Sequence, residues 1–247
     1  MNLLEKIYRI FTIICLIIII IGIVYTIKLN TLLFHMEQEY LTETDNNKQV
    51  IENCTNYLKL NPFDAKVYKY RGIAYGKDKK YEKAIKDLLT SKKKGFKTEE
   101  LYSFLSCYFI NIDNHEKSIK YLKEGIKYNP NSYRLYNNMA YYKLTNDYDL
   151  QDALRDINMS LSIKPFPEAY HTRAEIYRKL GMYEYAISDC NEALDEKDLY
   201  YCNCEKGYSL MKLGNTKEGI KNLEICKKHS EEDHDYYYKE LYEEYLD

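Results

Sequence analysis

The chain has 247 residues, with 36 Lys and Arg against 38 Asp and Glu, and 45% of its residues are hydrophobic. Because Gly (9) and Pro (4) are scarce, collagen-like and proline-rich chains are excluded, and a packed, mostly helical protein is predicted. Charges of both signs are mixed throughout, with no basic block that could follow a phosphate backbone, so no nucleic-acid partner is expected.

The first predicted element is an apolar helix near the N-terminus. Residues 10–27 are eighteen residues without a charge, bounded by Arg9 and Lys28. At about 1.5 Å per residue this helix spans roughly 27 Å, close to the hydrocarbon thickness of a bilayer. We therefore predict a short N-terminal segment at 1–9 and a transmembrane helix at 10–28 in contact with the lipid bilayer.

The alternatives to a membrane anchor are a cleaved signal peptide and a buried helix of a soluble core. Such a peptide has a shorter apolar part and a small-x-small cleavage site, whereas this run continues directly into Lys28, Leu29, Asn30 and Thr31. An uncleaved anchor is therefore favoured. A soluble, secreted protein would instead have its mature N-terminus near Asn30.

The charges that flank the apolar run predict its orientation. Lys6 and Arg9 lie on the short side, while the other flank offers Lys28 and then Lys48 within about 20 residues. This small excess places the N-terminus in the cytoplasm and the large C-terminal part outside it. The cysteines argue the other way, because six of the seven lie in that part without the regular spacing of a disulfide framework.

Internal repetition follows the apolar run. Tyr68, Tyr102, Tyr136 and Tyr170 recur at intervals of 34 residues. Two columns of small residues accompany them: Gly72, Ser106, Ala140, Ala174 and Gly207, then Ala84, Ser118, Ala153, Ala186 and Gly219. Four residues beyond each member of the second column comes a packing residue: Leu88, Leu122, Ile157, Cys190 and Leu223. The spacings predict two-helix units whose backbones approach closely at the small residues.

Proline and glycine mark the ends of these units. The chain has four prolines, and all fall where a second helix should end: Pro62, Pro130, Pro165 and Pro167. Where the corresponding boundary lacks Pro, it has Gly95, which is typical of a helix C-terminus.

These columns resemble the tetratricopeptide repeat family, whose units of about 34 residues are helix-turn-helix hairpins. The clearest match runs through Tyr170, Ala174, Tyr177, Leu180, Gly181, Tyr183, Ala186, Cys190 and Ala193. The resemblance covers about five repeats at 63–230, with a degenerate first repeat or connector at 29–62 and a C-terminal capping helix at 231–247. It implies an all-α superhelical solenoid, preceded here by one transmembrane helix.

The resemblance also implies a binding surface. In this family the first helices line a concave groove that binds a peptide or a helix of another protein. Transferred to this chain, that geometry gives the groove candidates Lys66, Lys69, Ile73, Ser103, Cys107, Arg134, Asn137, Tyr141, His171, Glu175, Arg178, Cys204, Tyr208 and Met211. The four cations among them, at 66, 69, 134 and 178, favour an acidic partner. The alternative is that these charged residues are only solvated.

Some members of the family hold a partner's C-terminal carboxylate in a clamp of Lys, Asn and Arg side chains. Here Lys69 is followed one turn later by Ile73, Phe104 takes the middle Asn position, and Asn138 stands where Arg is expected. We therefore do not predict a receptor for chaperone tails.

No catalytic or metal motif is recognisable. Cys202 and Cys204 flank Asn203, and helix stacking can bring Cys190 and Cys226 near them, which suggests zinc or a disulfide. Against this, Cys190 and Cys226 occupy packing positions where a free thiol behaves as a small hydrophobe. Whether these four cysteines pair stays open. The chain has no Gly-rich phosphate loop, nucleophile elbow or HExxH motif, so we expect no enzyme activity, cofactor or metal.

The sequence therefore predicts a membrane-anchored adaptor or scaffold that binds a peptide or helix of another protein in its groove. The alternative is a structural spacer, or an auxiliary subunit of a membrane or envelope complex, assembled through its transmembrane helix.

Overall fold

A computed structural model describes residues 3–41, 46–146, 148–197, 199–232 and 237–246. Within these ranges the chain forms thirteen α-helices and no strand, which confirms the all-α prediction. In chain order they are α1 (Leu3–Leu41), α2 (Asn47–Leu60), α3 (Ala65–Lys77), α4 (Tyr81–Lys93), α5 (Glu99–Asn111), α6 (His115–Tyr128), α7 (Tyr133–Thr145), α8 (Leu150–Ile163), α9 (Pro167–Lys179), α10 (Tyr183–Glu196), α11 (Tyr200–Lys212), α12 (Thr216–Glu232) and α13 (Lys239–Leu246). Parts of the predicted segments 1–9, 29–62 and 231–247, namely 1–2, 42–45, 233–236 and 247, lie outside the described residues.

The helices form two compact units, Met1–Ser118 and Ile119–Asp247, whose boundary falls inside α6. In the first unit α3 packs against α4. In the second unit α7 packs against α8, α9 against α10 and α11 against α12. Each of these pairs is one of the predicted hairpins, packed as in a tetratricopeptide solenoid. Pro167 departs slightly from the prediction, because it begins α9 at the first-turn position that tolerates proline rather than closing α8.

The two columns of small residues meet inside each hairpin. A Cβ atom added at Gly72 would lie 3.1 Å from the Ala84 carbonyl oxygen and 3.1 Å from Leu88 Cγ. In the next hairpin, Ser106 and Ser118 occupy the same two columns, and their buried hydroxyls are hydrogen-bonded at 2.8 Å. The small residues therefore permit the close approach that the spacing predicted.

In each unit an arginine ties neighbouring helices together. In the first unit Arg71 of α3 donates two hydrogen bonds to Asp87 of α4, at 2.6 and 2.9 Å. In the second unit Arg173 makes the same bidentate pair with Asp189, at 2.7 and 2.8 Å. Each guanidinium also donates to the preceding second helix, to Thr55 in the first unit and to Asn158 in the second. Charge-assisted forks of this kind hold three successive helices in one geometry.

Helix α1 contains the predicted span. Its stretch Tyr8–Thr31 contains an 18-residue window with a mean hydropathy of 3.1 and no buried residue. It is the one described helix long and apolar enough to cross a membrane. Towards its C-terminal end α1 docks on the first unit. The Tyr25 hydroxyl donates to the Leu60 carbonyl oxygen at 2.6 Å, and Leu29 and Leu33 pack against the core formed by α2 and α3.

A disulfide between Cys204 and Cys226 joins α11 to α12, across a sequence separation of 22 residues. Cys226 is buried in its packing position, as expected, but it is bonded rather than a free thiol. Cys190 and Cys202 are free and fully buried. The question that the sequence left open is thus resolved as one pair and two free thiols.

The contact between α3 and α5 gives a stability test. A Cβ atom added at Gly76 would lie 2.0 Å from Tyr108 Cζ, so Gly76→Ala must displace a buried aromatic ring. We expect this substitution to lower the free energy of unfolding of the full chain by about 1–3 kcal/mol, measured by urea denaturation followed by circular dichroism. In a Tyr108→Ala background the same change should be neutral or stabilising, because Ala favours helix over Gly. Equal losses in both backgrounds would contradict this packing.

Candidate functional site

In the first unit, two of the predicted groove residues are covered by α5. Lys69 is 6% exposed and forms an ion pair with Glu100. Ile73 is fully buried, and its carbonyl oxygen accepts a hydrogen bond from the Tyr108 hydroxyl at 3.4 Å. Neither side chain is therefore presented to a ligand in this structure.

The other three candidates in the first unit are more accessible. Lys66 and Ser103 are half-buried and Cys107 is exposed. Lys66 Nζ lies 5.5 Å from the centroid of the Tyr70 ring, and Ser103 also has an interaction partner. The first unit thus offers a mixed surface at these positions rather than a basic one.

In the second unit, α9 and α11 bring four charged or titratable side chains together. His171 and Glu175 lie one turn apart on α9, and both are buried. Glu205 of α11 is fully buried beside them, and Arg178 Nε donates to its Oε2 at 2.5 Å. Glu205 was missed by sequence reasoning. It stands 34 residues after His171, one repeat length, and this spacing could have placed it.

Burial controls the charges in this cluster. Burial raises the pKa of Glu205 to about 7, against the opposing effect of Arg178, and also raises the pKa of Glu175. Burial and then Arg178 lower the pKa of His171 to about 3, so its imidazole is neutral at pH 7. Among the described residues, Glu175 Oε2 and Glu205 Oε1 have no hydrogen-bond partner. The cluster therefore contains carboxyl groups that are only partly neutralised.

A divalent metal has one candidate site in the described part of the chain. One donor atom each from His171, Glu175 and Glu205 lie within 4.8 Å of one another. All three residues already have partners. Arg178 binds Glu205, the Tyr238 hydroxyl is hydrogen-bonded to His171 Nε2 at 3.1 Å, and the Tyr237 hydroxyl donates to Glu175. The positive charge beside the two carboxyl groups is supplied by Arg178 and by Lys179, whose Nζ lies 3.9 Å from Glu175 Oε1.

The chain's own C-terminal segment, defined here as residues 237–246, covers this cluster. The Tyr237 hydroxyl donates to Glu175 Oε1 at 3.1 Å, and α13 packs on α11 and α12. Tyr245 lies against Tyr208, with ring centroids 6.0 Å apart, and Lys212 pairs with Glu244 at 2.7 Å.

A cavity of about 330 Å³ remains between α9 and the C-terminal segment. Its walls include Glu175, Arg178, Tyr237, Tyr238 and Glu240. Both polar and aromatic groups thus border the space beside the carboxyl cluster.

Helix α7 supplies three further candidates. Arg134 is exposed, Tyr141 is 42% exposed, and Asn137 is half-buried with a buried Oδ1 that has no hydrogen-bond partner among the described residues. Tyr141 lies close enough to Tyr237 to contribute to the raised pKa of that phenol, after burial and Glu175. The α7 surface therefore borders the C-terminal segment.

The prediction of an acidic partner was based on four cationic groove candidates, at positions 66, 69, 134 and 178. Two of them are neutralised within their own units, Lys69 by Glu100 and Arg178 by Glu205. The basic character expected of the surface is therefore much reduced.

Comparison with known proteins identifies the repeats. The tetratricopeptide repeat profile matches residues 99–132 and 167–197, which correspond to α5–α6 with the following turn and to α9–α10. The chain therefore carries tetratricopeptide repeats, and its helix pairs have the architecture of that solenoid. No curated protein matches the sequence.

Solved structures share the fold at low sequence identity. A chain of the APC/C hetero-tetramer Cut9-Hcn1 is 15% identical with a TM-score of 0.71, over 89% of this chain and 46% of that one. PilW, described as a widely conserved type IV pilus biogenesis factor, is 16% identical with a TM-score of 0.68, over 91% of this chain and 99% of its own. A thermophilic tetratricopeptide protein of Thermus thermophilus is 18% identical with a TM-score of 0.61, over 74% and 99%.

The buried Glu205 predicts a pH dependence of stability. Its pKa is about 7 in the folded chain against an ordinary value of 4.5, so its contribution is full below pH 4.5 and is lost as the pH rises to about 7. Relative to Glu205→Gln, the wild-type chain should therefore lose about 1–3 kcal/mol of unfolding free energy over that range. Denaturant titrations at a series of pH values measure this difference.

Two comparisons make the test specific. The opposing effect of His171, whose folded pKa is about 3, is present in both chains and cancels in the difference. Substitution of the exposed Glu192 by Gln should leave the pH profile unchanged. A constant difference between wild type and Glu205→Gln from pH 4.5 to 7 would contradict the assignment.

Proposed function

We propose that this protein is a membrane-anchored adaptor that binds a helical segment of a partner protein on the second unit. Its fold is typical of scaffolds for protein-protein interaction. The observation that carries the proposal is that the surface formed by α9 and α11 already holds a peptide segment, the chain's own residues 237–246. A surface that accepts this segment can accept a partner segment of the same chemistry.

The C-terminal segment indicates what that chemistry is. Its apolar positions are Tyr238, Leu241 and Tyr242, which are at most 8% exposed. Its other positions include three glutamates, at 240, 243 and 244. The preferred partner segment is therefore an amphipathic helix rich in tyrosine and acidic residues. An acidic partner is thus supported by the present occupant rather than by the predicted cations.

Structural neighbours support a protein as the partner. The Cut9-Hcn1 structure is a hetero-tetramer of two different proteins, and PilW is described as a factor in pilus biogenesis. These proteins share the fold with this chain, and the choice of partner rests on the second unit's own surface.

The location that we propose is a single-pass membrane protein with α1 as the anchor and the repeats outside the cytoplasm. The apolar stretch Tyr8–Thr31 supports the anchor. The Cys204–Cys226 disulfide supports the non-cytoplasmic side, because disulfides persist in oxidising compartments. The flanking charges Lys6 and Arg9 favour the same orientation.

The spacer function remains the second candidate because α1 docks directly on α2 through the Tyr25–Leu60 hydrogen bond. In that case the partner would be held by α1 within the bilayer. Replacing α1 by an unrelated transmembrane helix would then abolish assembly while the repeats stay intact.

Photo-crosslinking distinguishes the two functions. A benzoylphenylalanine at Tyr141, which borders the C-terminal segment, should crosslink a partner protein when the full chain is expressed in native membranes. The matched control is Tyr185 on α10, which is also an exposed tyrosine of the second unit (58% against 42%). An excess of a peptide of residues 237–246 should abolish the crosslink from Tyr141. Equal crosslinking from both positions would overturn the adaptor proposal.

Thiol counting tests the proposed compartment. The chain has seven cysteines, five of them free. If the cells are quenched in acid and the full chain is denatured without reduction and then alkylated, mass analysis should find five modified thiols, and seven when the chain is reduced before alkylation. A Cys204→Ser/Cys226→Ser chain should show five in both cases. Seven modified thiols in the unreduced wild-type chain would contradict an oxidising location.

A further inference from the structure

We propose that the first unit has a second membrane contact, at Phe63 and the neighbouring Lys93, Lys94 and Lys97, which binds an anionic bilayer surface beside the anchor. This inference rests on the proposed anchoring by α1. It adds a surface that would fix the first unit against the bilayer.

The position of this contact follows from the docking of α1. Tyr25 lies near the C-terminal end of the apolar stretch Tyr8–Thr31, where aromatic residues occupy the membrane-water interface. Its hydroxyl binds the carbonyl oxygen of Leu60, the last residue of α2. Phe63 follows three residues later, so its Cα lies within about 11 Å of that of Leu60. The α2–α3 turn is therefore near the interface if α1 spans the bilayer.

Phe63 is unusually exposed for a large apolar side chain. It is 80% exposed, whereas the four tyrosines of the repeat column are all buried or half-buried. Lys94 Nζ lies 5.1 Å from the Phe63 ring centroid and 5.6 Å from that of Tyr68. A single exposed phenylalanine is ordinary on a soluble surface. Here it stands beside both a lysine and the membrane-facing end of α1, which is the pairing that interfacial segments use.

The end of α4 supplies the positive charge. Lys93, Lys94 and Lys97 are exposed, and Gly95, with φ +92°, ends the helix in the left-handed conformation and turns the chain. Leu89, Lys92, Lys93, Gly95 and Lys97 line a cavity of about 390 Å³ there. Lysines close to an anionic bilayer each strengthen binding by about fivefold. Lipid phosphates are therefore the chemistry that this end of the hairpin fits.

The opposite end of the same hairpin provides a matched control. Lys77 closes α3 and Lys83 lies in the first turn of α4, and both are exposed. Because α3 and α4 are each thirteen residues long, these two lysines lie roughly 20 Å along the hairpin from the end that contains Phe63. Reversing these two charges changes the net charge as much as reversing Lys93 and Lys97, without touching the proposed contact.

Tryptophan fluorescence tests the contact, because the chain has no Trp. The full chain with Phe63→Trp is reconstituted into phosphatidylcholine vesicles with and without phosphatidylglycerol. With the anionic lipid, the emission should shift to shorter wavelength and be quenched by brominated lipid. Adding Lys93→Glu and Lys97→Glu should reduce the quenching at least about fivefold, whereas Lys77→Glu and Lys83→Glu should leave it unchanged.

Vesicle flotation separates this inference from the anchor. A chain that floats with the vesicles while the emission of the introduced tryptophan stays solvent-like and unquenched would overturn the second contact and leave the anchor intact. Quenching that is insensitive to all four lysine changes would also overturn the proposed anionic contact. A chain that does not float would refute the anchoring and the inference together. Circular dichroism establishes that each variant is folded.

Discussion

The close approach of two helix backbones at a small residue is the constraint on which the rest of this structure depends. Gly72 leaves room for Ala84 and Leu88, and the Ser106–Ser118 hydrogen bond holds the next hairpin at the same positions. Once the helices of a hairpin are this close, the first helix of each pair must present its other face away from that contact. The charged and aromatic surface of α9 and α11 is a consequence of that packing.

That surface combines features that are costly for stability alone. Glu175 and Glu205 are buried, and each has one oxygen without a hydrogen-bond partner in the described chain. Arg178 hydrogen-bonds to Glu205, whereas Glu175 has only longer ion pairs, 3.9 Å from Lys179 and 4.0 Å from Arg178. Leaving such groups buried is unfavourable unless something offsets it. Tyr237 and Tyr238 of the C-terminal segment supply part of that compensation through hydrogen bonds to Glu175 and His171. The segment is therefore electrostatically as well as sterically matched to its site.

The hairpins, the apolar helix and the helix end at Gly95 could be predicted from sequence because each depends on local spacing. Contacts between side chains of successive repeats could not be predicted from sequence, because they depend on how each hairpin is rotated relative to the next. The Lys69–Glu100 pair, which removes a cation from the expected surface, is of this kind. The convergence of Glu205 with His171 differs, because their spacing of one repeat length could have indicated it. The return of Tyr237 to α9 was also missed, because an amphipathic terminal helix does not specify in sequence which helices it will contact.

The Cys204–Cys226 bond lies in the hairpin whose sequence departs furthest from its neighbours, with Asn203 in place of the aromatic anchor. In a linear stack of repeats, unfolding normally starts at a terminal hairpin, since that hairpin has only one neighbouring repeat. The disulfide closes a loop with a sequence separation of 22 residues. A link across such a loop raises the free energy of the unfolded hairpin by roughly 3 kcal/mol and so stabilises the folded one. The bond therefore opposes loss of structure in the α11–α12 hairpin, and under reducing conditions this hairpin is expected to unfold more readily.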